Sequence, residues 1–129
     1  MLPKILVVMT AIGALPSPAL AASEQFGMSY HVERVDSARL SVEECLATTQ
    51  RASTGLGYVT AKRQLHPGQV GVYASGPRNG GGSLTVYCIA VDRKTAFVVQ
   101  ALDYNRPDSA AAQRAADTIR QALLNAGAR

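Results

Sequence analysis

Residues 83–99 read Ser-Leu-Thr-Val-Tyr-Cys-Ile-Ala-Val-Asp-Arg-Lys-Thr-Ala-Phe-Val-Val, two β-type runs joined by three charged residues. In the first run, Leu84, Val86, Cys88 and Ala90 fall on one face of a strand expected over 83–91. Asp92, Arg93 and Lys94 turn the chain into a second strand, 95–104, whose middle is strongly apolar at Phe97, Val98 and Val99. Cys88 thus sits on an inward-facing row in the middle of a hairpin, and the remaining elements are read around that hairpin.

Upstream, a helix is expected to open at Ser41, where Ser41 and Glu44 form a capping box, and to run to Thr54 with Gly55 as its stop. Val42, Cys45, Leu46, Thr49, Ala52 and Leu56 recur at helical spacing, so Cys45 lies on the buried stripe. Two cysteines in one small domain allow a single intramolecular pairing, and both point toward the same core, so Cys45 and Cys88 are expected to form a disulfide. A redox-active or metal-binding pair normally lies close together near a helix start, whereas these two are 43 positions apart.

Residues 26–35 alternate, with Phe26, Met28, Tyr30 and Val32 on one side and Ser29, His31 and Glu33 on the other. This predicts a half-exposed strand with the apolar row, Met28 included, toward the core and the polar row in solvent. Another strand is expected over 58–65, with Val59, Ala61 and Leu65 opposite Thr60, Lys62 and Gln64. His66-Pro67-Gly68-Gln69 reads as a turn, and 70–75 as the returning strand. Residues 76–82 form a glycine-rich connection. After Asn105-Arg106-Pro107, Asp108 is expected to cap a last helix over 109–125, with Ala112, Ala115, Ala116, Ile119, Ala122 and Leu123 as its apolar stripe and Gly127 as terminator. The result is an α+β fold of order β-α-β-β-β-β-α: an antiparallel sheet with two helices on one face and one disulfide. In topology alone it resembles a split βαβ or ferredoxin-like arrangement, and such a likeness carries no function.

The amino-terminal segment has the three parts of an export signal: Lys4, an apolar stretch over residues 5–15, and a small-residue exit at Ala19 and Ala21 after Pro16 and Pro18. Residues 1–21 are expected to be a signal peptide cleaved before Ala22, leaving residues 22–129 as a single domain. The apolar stretch is shorter than the roughly 20 residues a membrane-spanning helix needs. No cysteine stands at the cleavage point and no twin arginine precedes the apolar stretch. An oxidising compartment suits the two cysteines. The alanine- and arginine-rich composition favours the bacterial periplasm, or secretion, as the location.

Loss of Lys4 lowers the formal charge from +4 to +3, a mild excess carried by scattered arginines. Nucleic acid is not an expected partner, because no cluster combines aromatic and basic residues. Arg78-Asn79-Gly80-Gly81-Gly82 is the most unusual stretch. Its glycines let backbone amides converge beside a cationic side chain, which makes the loop a candidate site for a small anion or a protein partner. It matches neither the phosphate-loop nor the dinucleotide spacing. The turn at His66–Gln69 is the second candidate surface. His31 and Glu33 share a strand face and could serve acid–base or metal chemistry, but with only two histidines in the chain no metal and no cofactor are expected.

No serine sits in a nucleophile elbow, and no catalytic residue stands out. The sequence is therefore read as a small exported, non-catalytic binding protein of the bacterial envelope. Its expected partner is an envelope protein or a small anionic ligand, and inhibitor or immunity-type factors are among the classes that fit. The alternative is a small periplasmic enzyme or metal-handling protein using His31 and Glu33.

Overall fold

A computed structural model describes Gly13 and residues 25–128. The expected signal peptide, residues 1–21, and its cleavage point lie outside the described residues. Among the described residues, seven elements follow in the expected order: β1 (Gly27–Asp36), α1 (Val42–Gly55), β2 (Tyr58–His66), β3 (Val70–Pro77), β4 (Gly82–Val91), β5 (Lys94–Asp103) and α2 (Ala110–Gly127). They form one five-stranded sheet in the order β1-β5-β4-β3-β2, with every neighbouring pair antiparallel. β1 and β2 therefore run in the same direction but at opposite edges, with three strands between them. This split is wide, and no strand follows α2 among the described residues, so the ferredoxin-like likeness stops at the α1 crossover.

Both helices lie on one face, α1 over β2 and β3, α2 over β1 and β5, and they touch each other. Between them and the sheet sits one core, in which Leu40, Leu46, Tyr73, Leu84, Val86, Phe97, Val99, Ile119 and Leu123 are all removed from solvent. Cys45 and Cys88 are joined across it, with their Cα atoms 6.1 Å apart. Directly beside Cys88 on β3 is Gly71, where an added Cβ would come within 3.2 Å of Leu46. The missing side chain lets α1 lie close enough to the sheet for the cystine to span the gap.

The helix ends show which local signals dominate. The Ser41 hydroxyl accepts the Glu44 amide at 3.0 Å, as the capping box requires. At the other end Gly57, with φ of +82°, takes the left-handed position after the last turn, one turn-residue pair beyond the expected stop at Gly55. For α2 the cap is Ser109, not Asp108: its hydroxyl accepts the Ala112 amide at 3.0 Å and donates to Asp103 at 2.7 Å. The buried Ser109 thus ties the end of β5 to the start of α2, which an exposed Asp108 does not. Gly127 ends α2 as expected, with Ala128 as the C-cap, but its missing side chain serves packing: it is buried against Val35, where a Cβ would meet the valine methyl at 2.3 Å.

Two strands differ from the alternation read in sequence. A bulge between Thr60 and Lys62 shifts the register of β2, so that Thr60, Arg63 and Leu65 share the helix side while Val59 faces out. β1 is reversed as a whole. Ser29, His31 and Glu33 pair with Ala101, Val99 and Phe97 on the helix side, and Met28, Tyr30 and Val32 face away from the helices. The cause is the position of β1 at the sheet edge, where the polar flank of α2, rather than its apolar stripe, lies overhead. Met28 is accordingly not a core residue.

A cystine closing a loop of this length contributes about 4 kcal/mol in the chain-entropy account. Reduction, or the Cys45→Ala/Cys88→Ala pair of substitutions, is therefore expected to lower the thermal midpoint by roughly 15 °C. Calorimetry showing the oxidised and reduced proteins melting together would contradict this bracing role.

Candidate functional site

The glycine-rich connection is shorter than its sequence implies, because Gly76 and Pro77 belong to β3 and Gly82 to β4. Gly80 and Gly81 both adopt positive φ, at +77° and +80°, which only glycine takes up without strain. The Gly80 amide donates to the Pro77 carbonyl at 2.9 Å, and the Gly81 carbonyl accepts the Tyr104 amide at 2.8 Å. The loop is thereby folded onto the end of β5, while Arg78 and Asn79 stay exposed.

Beneath it lies a cleft of about 240 Å³ whose walls include Tyr58, Gly81, Asp103 and Asn105. The Asp103 carboxyl is held below its ordinary value chiefly by the Ser109 hydroxyl, with the Asn105 amide adding to it, so it is ionised at neutral pH. Burial raises the Tyr58 phenol, which stays protonated. A carboxylate and a phenol in the wall suit a group that donates hydrogen bonds better than an anion.

The turn at His66–Gln69 forms as expected, closed by the Gln69 amide on the His66 carbonyl at 3.0 Å, with Gly68 at φ of +70°. Glu43 in the first turn of α1 accepts the Gly68 amide at 3.0 Å and is held below its ordinary value chiefly by its own backbone amide and then by that bond. The turn is thus tied to α1.

His31 and Glu33 do share a face, but it is the face under α2. His31 Nε2 lies 2.7 Å from Asp117, and Glu33 accepts from Arg120 at 2.9–3.0 Å. Each is paired across the helix–strand seam, and Glu33 meets a cation where a metal site would need a third ligand. Among the described residues, no group of three or more histidine, cysteine, aspartate or glutamate side chains converges. Neither Tyr30 nor His66 joins the pair: Tyr30 faces away, and His66 lies on the opposite edge strand beside Gln64.

The surface that sequence reading missed is the uncovered face of the sheet. Met28, Tyr30 and Val32 are 52, 62 and 60% exposed, with the 52% exposed Phe26 just ahead of the strand, a density of large apolar groups that a solvated strand face would not carry. Register extends the patch inward. Val32, Val98, Tyr87 and Val72 are successive partners across β1, β5, β4 and β3, so one apolar row crosses four strands before ending at Gln64 on β2. Ile89 and Val70 continue it on one flank. The charged residues of this face, Arg34, Asp36, Lys62 and Lys94, stand at one end or on the β2 edge. A signal for this was present in Phe97-Val98-Val99, since an unbroken apolar run marks a strand whose two faces both avoid water.

What these features define is a disulfide-braced α+β domain with a helix-covered face and an open apolar face. The chain belongs to a family of unknown function, DUF6180, whose model matches residues 25–128. None of the curated proteins compared with it matches.

The hydrogen bonds to Asp103 have a consequence for acid stability. Its folded value lies below the ordinary 3.8, so the unfolded chain takes up the proton first. The stabilisation is present above pH 3.8 and is lost as the pH falls through the lower, folded value. An Asp103→Asn variant, which cannot take up this proton, is expected to lose less stability than wild type over that acid window. Parallel acid-unfolding curves for the two proteins would show that the Ser109–Asp103 contact contributes nothing.

Proposed function

We propose that this chain is a small, exported, non-catalytic binding protein of the bacterial envelope, and that a protein partner docks on the open face of its sheet. The observation that carries this reading is the apolar row Val32-Val98-Tyr87-Val72 together with the exposed Met28 and Tyr30, all on the face the helices leave bare. Leaving such a face in water forgoes roughly 25 cal/mol for each square ångström of apolar surface that a partner would cover. The disulfide supports export, because cystines persist in oxidising compartments. Among the described residues no helix is long and apolar enough to cross a membrane.

A protein partner is favoured over a small anion, because the face is broad and apolar and the cleft under the glycine loop has the carboxylate of Asp103 in its wall. Catalysis draws no support from His31, whose ring is engaged by Asp117 at the seam of strand and helix.

A photo-crosslinking residue placed at Tyr30 is expected to form an adduct with another polypeptide in living cells of the host. The same residue at Gln121, on the exposed side of α2, is expected to form none. The Tyr30 adduct should disappear when Val32→Lys is added. Absence of any adduct at Tyr30, or equal adducts at both positions, would sink this reading.

A further inference from the structure

We infer that the occupant of the open face is a second copy of this chain, with two sheets packed face to face and the helix layers outward. This inference rests on the open face being the binding surface and adds the identity of the partner. Three observations carry it.

The first is area. Five strands of eight to ten residues make a face of roughly 740 Å², given strand spacings near 4.8 Å and a rise near 3.3 Å per residue, close to the value of about 800 Å² that each partner contributes to a standard stable interface.

The second is chemistry. The centre of the face carries no charge: the row Val32-Val98-Tyr87-Val72 is flanked by Gln100, Thr85 and Ala74 on one side and Ala96, Ile89 and Val70 on the other. The charges of the flanks, Arg34 on β1 and Lys62 on β2, stand at the ends of the row, so two molecules of the same positive sign can meet over its centre without burying an ion there.

The third is symmetry. A two-fold axis along the apolar row returns each residue of that row to itself, as an isologous contact requires. The same operation exchanges the two flanks, and so sets the small Ala74 and Thr85 against Val70 and Ile89 of the other copy. It also sets Arg34 against Tyr30 of the other copy, a cation over an aromatic ring, and keeps Arg34 away from its own counterpart. An axis along the strands would instead stack the two charged ends. Aligned packing of sheets, with strands about 30° apart, tilts this axis by about 15° from the row, so the self-opposition is closest at the row's centre, Val98 and Tyr87.

Light scattering and sedimentation of the purified protein are expected to give twice the mass of one copy. Val98→Lys, at the centre of the row, is expected to raise the dissociation constant at least about 100-fold, because it forces a charge into the interface. Gln121→Lys on the helix layer should leave the mass unchanged. If Val98→Lys fails to give a cooperative melt, Tyr30→Lys at the exposed edge supplies the same test without touching a half-buried position.

A wild-type protein that stays monomeric at every concentration overturns the self-pairing. So does a dimer that survives both lysine variants. If the wild type is monomeric yet the crosslinker at Tyr30 still joins it to a different polypeptide, self-pairing falls and the open-face reading stands. If it is monomeric and forms no adduct, both fall.

Discussion

The cystine between Cys45 and Cys88 is the constraint around which the domain is arranged. It joins the first turn of α1 to the middle of β4, the central strand of the sheet. Everything between its ends, the rest of α1 and the β2–β3 hairpin, is a closed loop whose entropy in the unfolded state is reduced before any packing begins. The bond also sets a distance. It forces α1 down onto β3, which is why glycine stands at position 71, where a side chain would press on Leu46. The Ser53–Ser75 hydrogen bond at 2.8 Å closes the same seam farther along the helix. A helix placed this way leaves the other half of the sheet for α2, and the two together cover the middle of one face while β2 stays largely exposed.

α2 reaches the sheet differently. Its contact stripe is made of Ala112, Ala115 and Ala116 before the larger Ile119 and Leu123, so the helix approaches closely at its start and is held there by Ser109 and Asp103. Over the edge strand its polar flank takes over. Asp117 and Arg120 meet His31 and Glu33, and Gly127 gives way to Val35. Those polar pairs are partly exposed and contribute little stability of their own. Their effect is orientational: they favour the rotation of β1 that puts its polar row under the helix and its apolar row on the open side. The open face is therefore a consequence of how the edge strand is satisfied on its other side.

Most of the fold was legible in local pattern. The capping box at Ser41, the left-handed turn at Gly68 and the alternating Leu84, Val86 and Cys88 each report a short-range preference, and the structure follows all three. The errors came where a preference depends on what lies across the sheet. Asp108 and Ser109 are both good caps, and the choice was made by Asp103, five or six residues upstream, which takes up the Ser109 hydroxyl. Ala61 looked like a regular strand residue until the partner strand showed the bulge beside it. As for the candidate sites, the glycine loop and the Pro67 turn were found where expected. The cleft wall at Tyr58 and Asp103 was not found, because its two residues are distant in sequence and ordinary in type.

The chain's own pattern established how many elements there are, which of them are strands, and that two half-cystines face one interior. These follow from periodicity and from capping chemistry, which act over a few residues. Periodicity separates the two faces of a strand but carries no information about which one will be covered. For β1 that was decided by the tertiary arrangement: the helix bearing Asp117 and Arg120 settled over Ser29, His31 and Glu33, and Met28, Tyr30 and Val32 were left outside. Burial is a property of what packs against a surface, so the apolar face open to a partner exists only once the two helices have taken the other side.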